Sequence, residues 1–170
     1  MKQLLKLIQK AKRSSFYLWF LNYTLSNVIP FNKPHGLKIL GISDNALSIK
    51  MPFQQSNLNH IKGLHACGLA TLAEYATGLL LLSRLDPAKY RLIMQSIQVV
   101  YHYQGKMDAI ATLEMSDEWL NQNVYAPLET QESIIIQSEV NIHDSQKNHL
   151  CTGKIGWQIK RWDKVKTKVD

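Results

Sequence analysis

Acidic residues are absent from the first quarter of the chain. The first is Asp44, and Lys2, Lys6, Lys10, Lys12, Arg13, Lys33 and Lys38 all precede it. The formal net charge of +7, from twenty basic and thirteen acidic residues, is therefore carried by the N-terminal region. A second basic cluster, Lys160, Arg161, Lys164, Lys166 and Lys168, closes the chain, and the middle is slightly acidic. A field localised in this way suits an anionic ligand or surface. It does not suit a nucleic-acid groove, which interleaves basic and aromatic residues along the chain, so no nucleic-acid partner is expected.

Cysteine is scarce too. Cys67 and Cys151 are the only two, each inside an apolar pattern, with no CxxC spacing. A disulfide scaffold is excluded, and a reduced, cytoplasmic setting is expected. His60, His65, His102, His143 and His149 show neither HExxH nor paired ligand spacing. No metal and no cofactor are expected. The longest apolar run is shorter than the ~20 residues a bilayer core requires and has an acidic residue at its centre. Internal repeats and low-complexity tracts are missing, and 170 residues suffice for one core without staples.

What is present begins with a helix read from Met1 to about Ile29. Leu4, Leu5, Ile8, Ala11, Ser15, Leu18 and Trp19 line one side, with lysines on the other. It resembles a signal peptide only superficially, because its apolar run contains Asn22, Tyr23 and Thr24 and reaches Pro30 without a small-x-small cleavage site. The helix is expected to pack across the body, its aromatics covering an apolar patch. The alternative is a peripheral membrane contact, since Phe16, Tyr17, Trp19, Phe20 and Tyr23 beside a basic face are what an interface rewards. Residues 1–36 read as an N-terminal helical extension and residues 37–170 as the main domain.

From Leu37 the period changes to two. Leu37–Ile42 and Ala46–Met51 form an expected hairpin across Ser43, Asp44 and Asn45, whose Asp and Asn tolerate a tight turn. A polar loop, 53–64, leads to the longest apolar stretch, 66–82, which lacks Gly or Pro clusters and is expected to be a helix buried on every side. Four alternating segments follow: Tyr90–Tyr103, Lys106–Ser116, Glu132–His143 and His149–Trp162, with hairpins expected at Gly105 and at Asp144–Asn148. The order predicts an α+β fold, an antiparallel sheet wrapped around one long central helix.

Glu74 breaks the pattern of that helix. An isolated buried carboxylate must lose its charge or find partners, so it is either a structural group bonded to a neighbouring Thr or Tyr or part of a site. Cys67, Ala70, Thr71, Thr77 and Gly78 are small residues around it at helical spacing. They would let a ligand or backbone approach.

Asn59, Gly63, His65 and Glu74, with this order of elements, resemble the hotdog-fold thioesterases of the phenylacetate-pathway type. That motif runs Asn, Gly, then His-Gly-Gly, with an acidic residue nine positions past the His on the central helix. Here Asn59 lies six before His65 and Glu74 nine after it. The likeness covers about residues 37–162, and the N-terminal helix is extra to it. His-Gly-Gly is replaced by His65-Ala66-Cys67, and the usual Asp by Glu.

The resemblance implies an acyl thioesterase acting on acyl-CoA or acyl-carrier-protein thioesters, assembled as a homodimer or homotetramer. Glu74 would be general base or nucleophile, and the backbone amides of Ala66 and Cys67 at the helix start would form the oxyanion hole. Asn59 would position carbonyl or water, and Gln95 or Ser96 would hold that water from a strand. His65 would either transfer a proton or tie the loop to the helix start. Cys67 is expected to be a small buried residue rather than a nucleophile. A hydratase is disfavoured, whereas a non-catalytic acyl-binding or membrane-associated protein stays open because the glycines are replaced.

Overall fold

The structure, a computed structural model, describes residues 2–166. Lys168 of the C-terminal basic cluster lies outside the described residues, as does the side chain of Lys2.

The N-terminal segment is two helices where the sequence reads as one. α1 spans Lys2–Ala11 and α2 Ser15–Val28. Between them Ser14 is extended, with φ −150° and ψ 124°, as suits a residue whose hydroxyl competes for backbone hydrogen bonds inside a helix. The break lets both helices turn apolar residues onto one core: Ile8 and Ala11 from α1, Leu21 and Leu25 from α2, all buried. Asn22 fastens α2 to the sheet, its Oδ1 accepting from Ile39 N–H at 2.7 Å and its Nδ2 donating to Ile39 O at 3.0 Å. Of the aromatics, only Tyr17 packs against the core. Phe16, Trp19, Phe20 and Tyr23 point to solvent, because the core-facing stripe of α2 passes through Leu21 and Leu25 instead. Pro30–His35 then forms a 3-10 helix closed by Gly36 at φ 61°.

Six strands follow the predicted segments closely: β1 Lys38–Ile42, β2 Ala46–Met51, β3 Tyr90–Tyr101, β4 Ala109–Glu114, β5 Ser133–Asp144 and β6 His149–Arg161. They make one antiparallel sheet in the order β1-β2-β4-β5-β6-β3. β3 and β4 are therefore not a hairpin. Gly105 serves a close approach in the crossing chain, where its carbonyl accepts from Leu64 N–H at 2.8 Å and a Cβ would lie 2.9 Å from Leu64 Cδ1. The Asp144–Asn148 turn is a hairpin: Asp144 Oδ1 accepts from the backbone N–H of Gln146 and of Asn148, each at 2.9 Å.

The long helix α3, Ala66–Arg84, lies against the sheet face built from Ile49, Met51, Ala111, Ile136, Ile155 and Trp157. Its length and composition would suffice to cross a membrane, yet 61% of its most apolar 18-residue window is buried within this fold. It is not buried on every side. Ala70, Thr71, Glu74, Gly78 and Leu82 are half-buried at helical spacing, and Ala66 and Cys67 are exposed. That open stripe exists because β3 ends the sheet and does not close over it.

One segment escapes a reading by alternation. Residues 117–130 are helical: α4 Asp117–Leu120, a π-helical turn Asn121–Tyr125, and α5 Ala126–Thr130. Ser116 caps the start by accepting from Trp119 N–H at 3.1 Å, and Leu120, Val124 and Leu128 are buried. The signal was there in the four-residue spacing of those apolar residues.

Candidate active site

Glu74 sits half-buried between two apolar hollows. One, of about 300 Å³, is lined by Leu25, Gly78, Leu82, Leu92 and Trp157; the other, of about 490 Å³, by Ile29, Thr71, Met94 and Ile97; Glu74 and Tyr75 line both. Among the described residues none donates a hydrogen bond to the Glu74 carboxylate, and burial pushes its pKa up. The structural reading, a carboxylate held by a neighbouring Thr or Tyr, is therefore not met. Thr77 hydrogen-bonds backbone instead, donating to Ala73 O at 3.0 Å and to Glu74 O at 3.1 Å, while accepting Trp157 Nε1–H at 3.1 Å.

Asn59, Gly63 and His65 come together at the N-terminal end of α3. Asn59 Oδ1 accepts from Ile61 N–H at 3.1 Å and Gly63 N–H at 3.0 Å, which closes a tight turn with Lys62 at φ 57°. Its carboxamide is thus occupied by the loop. His65 is the N-cap of α3, its Nδ1 accepting from Cys67 N–H at 3.1 Å, while His65 N–H donates to Asn57 O at 2.8 Å. It ties the loop to the helix start. Of the two amides considered for an oxyanion hole, Cys67 N–H is taken by this cap, and Ala66 N–H has no acceptor among the described residues. Cys67 itself is exposed, not buried as expected, because it lies on the open stripe.

The two strand candidates part company with Glu74. The register of β3 on β6 skips between Met94 and Ser96, leaving Gln95 unpaired in a bulge. Ser96 lies beside Gly156 and Gln137, and Gln137 alternates with the buried Ile136 and Ser138 of β5. Ser96 is therefore on the outer face of the sheet. Met94 and Ile97 flank the bulge on the helix side instead.

Sequence reasoning missed three contributors to the site. Tyr75 lines both hollows. Leu25, Val28 and Ile29 make the end of α2 a wall of the cavity. Tyr101 of β3 donates its hydroxyl to Ala66 O at 2.8 Å, binding the edge strand to the helix start. A tyrosine next to the lone acidic residue was a usable signal; the wall from α2 was not, since it depends on packing distant in sequence. Among the described residues no three His, Cys, Asp or Glu side chains converge to hold a metal ion.

Residues 19–159 match the family described as Domain of unknown function (DUF4442). No curated protein sequence matches the chain. The structure is similar to that of a protein of unknown function from Pseudomonas aeruginosa described as a probable thioesterase, with a TM-score of 0.75 and 23% identity over 83% of this chain and 94% of that one. It is also similar to a thioesterase from Haemophilus influenzae, with a TM-score of 0.65 and 14% identity over 89% of this chain and 95% of that one. A third likeness is to a Staphylococcus aureus thioesterase solved as a glutamine-to-alanine variant, with a TM-score of 0.61 and 15% identity over 77% of this chain and 98% of that one. The same staphylococcal protein is known as a glutamate-to-alanine variant. These likenesses identify the architecture as the hotdog fold.

Proposed function

We propose, for a chain that belongs to the DUF4442 family, an acyl thioesterase that hydrolyses acyl-CoA or acyl-carrier-protein thioesters with Glu74 as general base. The observation that carries this reading is the unpaired, half-buried Glu74 carboxylate between two apolar hollows. Their volumes fall within the range of small-molecule sites, and their apolar walls suit an acyl chain. Burial raises the basicity of Glu74, which favours proton abstraction from water over direct attack. Water would add to the thioester carbonyl while Glu74 takes its proton. The C–S bond then breaks as that proton passes to the departing thiolate.

Negative charge on the carbonyl oxygen calls for a preorganised donor. Ala66 N–H has no acceptor among the described residues, but it stands eight residues from Glu74, ~12 Å along the helix. One protomer therefore holds two halves of two sites. β3 supports their union. Its Met94 lies beside Glu74 and its Tyr101 beside Ala66, so antiparallel pairing of two β3 strands about their middle would bring the Met94 end of one towards the Tyr101 end of the other. Ile93, Val100 and Tyr101 leave this edge strand apolar and exposed, a surface that invites pairing. The staphylococcal glutamine and glutamate replaced by alanine are separated by fifteen positions, as are Asn59 and Glu74, a spacing that supports matching Glu74 to that glutamate.

The decisive test is release of free thiol from acyl-CoA substrates of graded chain length, by the wild type and by Glu74→Gln. Hydrolysis lost in the variant supports the reading. A second reading, an acyl-binding protein without turnover, is favoured by the capture of Cys67 N–H by His65. Acyl-CoA binding with no thiol release at any chain length would decide for it.

A further inference from the structure

α2 presents two unlike faces. Leu21 and Leu25 enter the core, while Phe16 at 64% exposure, Trp19 at 61% and Tyr23 at 59% stand on the opposite side. Their rings form a continuous ridge, with centroids 6.1 Å apart from Phe16 to Trp19 and 6.1 Å from Trp19 to Tyr23. At the end of the helix Val28, at 66%, and just past it Phe31, at 70%, are exposed as well. Water-facing aromatics in such a row mark an interaction surface.

The charge carried by α1, α2 and the turn between them has one sign. Lys10 Nζ lies 4.9 Å from the Tyr17 ring centroid, and Tyr17 meets Phe16 edge-on at 5.6 Å, so the basic stripe of α1 borders the aromatics directly. Lys6, Lys10 and Arg13 are exposed. The nearest acidic residue in sequence, Asp44, is already paired with Lys12 at 2.9 Å. A second copy docking here would bring two cationic faces together, which is unfavourable.

We infer that α1 and α2 form a docking face for anionic lipid bilayers. Trp19 and Tyr23 enter the headgroup region with Phe16 deeper, the placement that amphipathic rings favour at a membrane boundary. Lys6, Lys10 and Arg13 meet the lipid phosphates. Docking also sets the acyl site at the bilayer boundary, because Val28 lines one hollow beside Glu74 and Phe31 the other. The docking face stands on exposure and charge alone, independent of any chemistry at Glu74.

The test is sedimentation of the full chain with phosphatidylcholine vesicles, with and without phosphatidylglycerol, at low salt and at 1 M, where the Debye length is ~3 Å. The wild type sediments with the anionic vesicles at low salt and is released at high salt. Inorganic phosphate at matched ionic strength does not compete. Phe16→Ser with Trp19→Ser, and separately Lys6→Glu with Lys10→Glu, weaken binding by ~10-fold or more with unchanged melting temperature. Trp19, one of four tryptophans, supplies a blue shift on binding that Trp19→Ser abolishes. The inference is overturned if the wild type stays in the supernatant at low salt, or if neither pair of substitutions weakens binding. Dissociation of an oligomer by Trp19→Ser, or binding of a single-stranded oligonucleotide in preference to vesicles, would overturn it equally.

Discussion

The indole of Trp157 rests on the backbone of Gly78. A Cβ at that position would stand 2.7 Å from Cη2 and 2.8 Å from Cζ2, and the same ring donates Nε1–H to Thr77 at 3.1 Å. Trp157 and Gly78 together form one wall of the hollow beside Glu74. Mid-helix glycine costs ~1 kcal/mol in propensity relative to alanine, and close packing of a strand tryptophan is what requires it here.

Gly78→Ala is accordingly expected to destabilise the protein. The propensity gain of ~1 kcal/mol is outweighed by overpacking of ~1–3 kcal/mol against a rigid ring. A fall in melting temperature of about 2–6 °C is expected for a chain of this size. A melting temperature above wild type would show that the ring yields freely.

Glu74→Gln is expected to lower thioester turnover by ~100-fold or more, the cost of losing a general base. Burial raises the Glu74 pKa in the folded state, so the acid limb of kcat/KM lies above the ordinary carboxylate range. The same shift has a stability sign. Between the unfolded and folded pKa values the folded state binds more protons, so the contribution of Glu74 is fully present below the unfolded pKa and is lost as pH rises through the folded one. Glu74→Gln should then match or exceed the wild-type melting temperature at neutral pH. Turnover within threefold of wild type, or a large loss of stability at neutral pH, would refute the role.

The edge strand gives an assembly prediction. Light scattering at micromolar concentration should report at least twice the 19.5 kDa chain mass. Ile93→Lys with Val100→Lys places charges on the exposed apolar face of β3 and should yield monomers that keep their circular dichroism but lose turnover. A monomeric, active wild type would make a shared site untenable.

The loop and cap residues are predicted to act on structure more than on chemistry. His65→Ala removes the acceptor for Cys67 N–H and should cost ~1 kcal/mol of stability, with His65→Asn restoring most of it. Asn59→Ala strands the Ile61 and Gly63 amides and should cost ~1–3 kcal/mol. In both, kcat should stay within tenfold of wild type. A hundredfold loss in His65→Asn at unchanged stability would instead assign proton transfer to His65.

Periodicity along the chain was enough to determine the six strands, the central helix and the odd carboxylate within it, because alternation and apolar runs are local and the sheet buries one face. Glu74 was legible as the break in an apolar helix, and Asn59, Gly63 and His65 only through the resemblance of their spacing to a known motif. Only the tertiary structure decided what those residues touch. Strand order carried β3 to the far edge, so the Gly105 hairpin is absent and the stripe through Glu74 is open. A bulge at Gln95 turned Ser96 to the outer face. The break at Ser14 and the anchoring of Leu21 and Leu25 decided that the aromatics of α2 face water and that its end walls the cavity. Each of these depends on contacts between residues far apart in sequence, about which a local pattern carries no information.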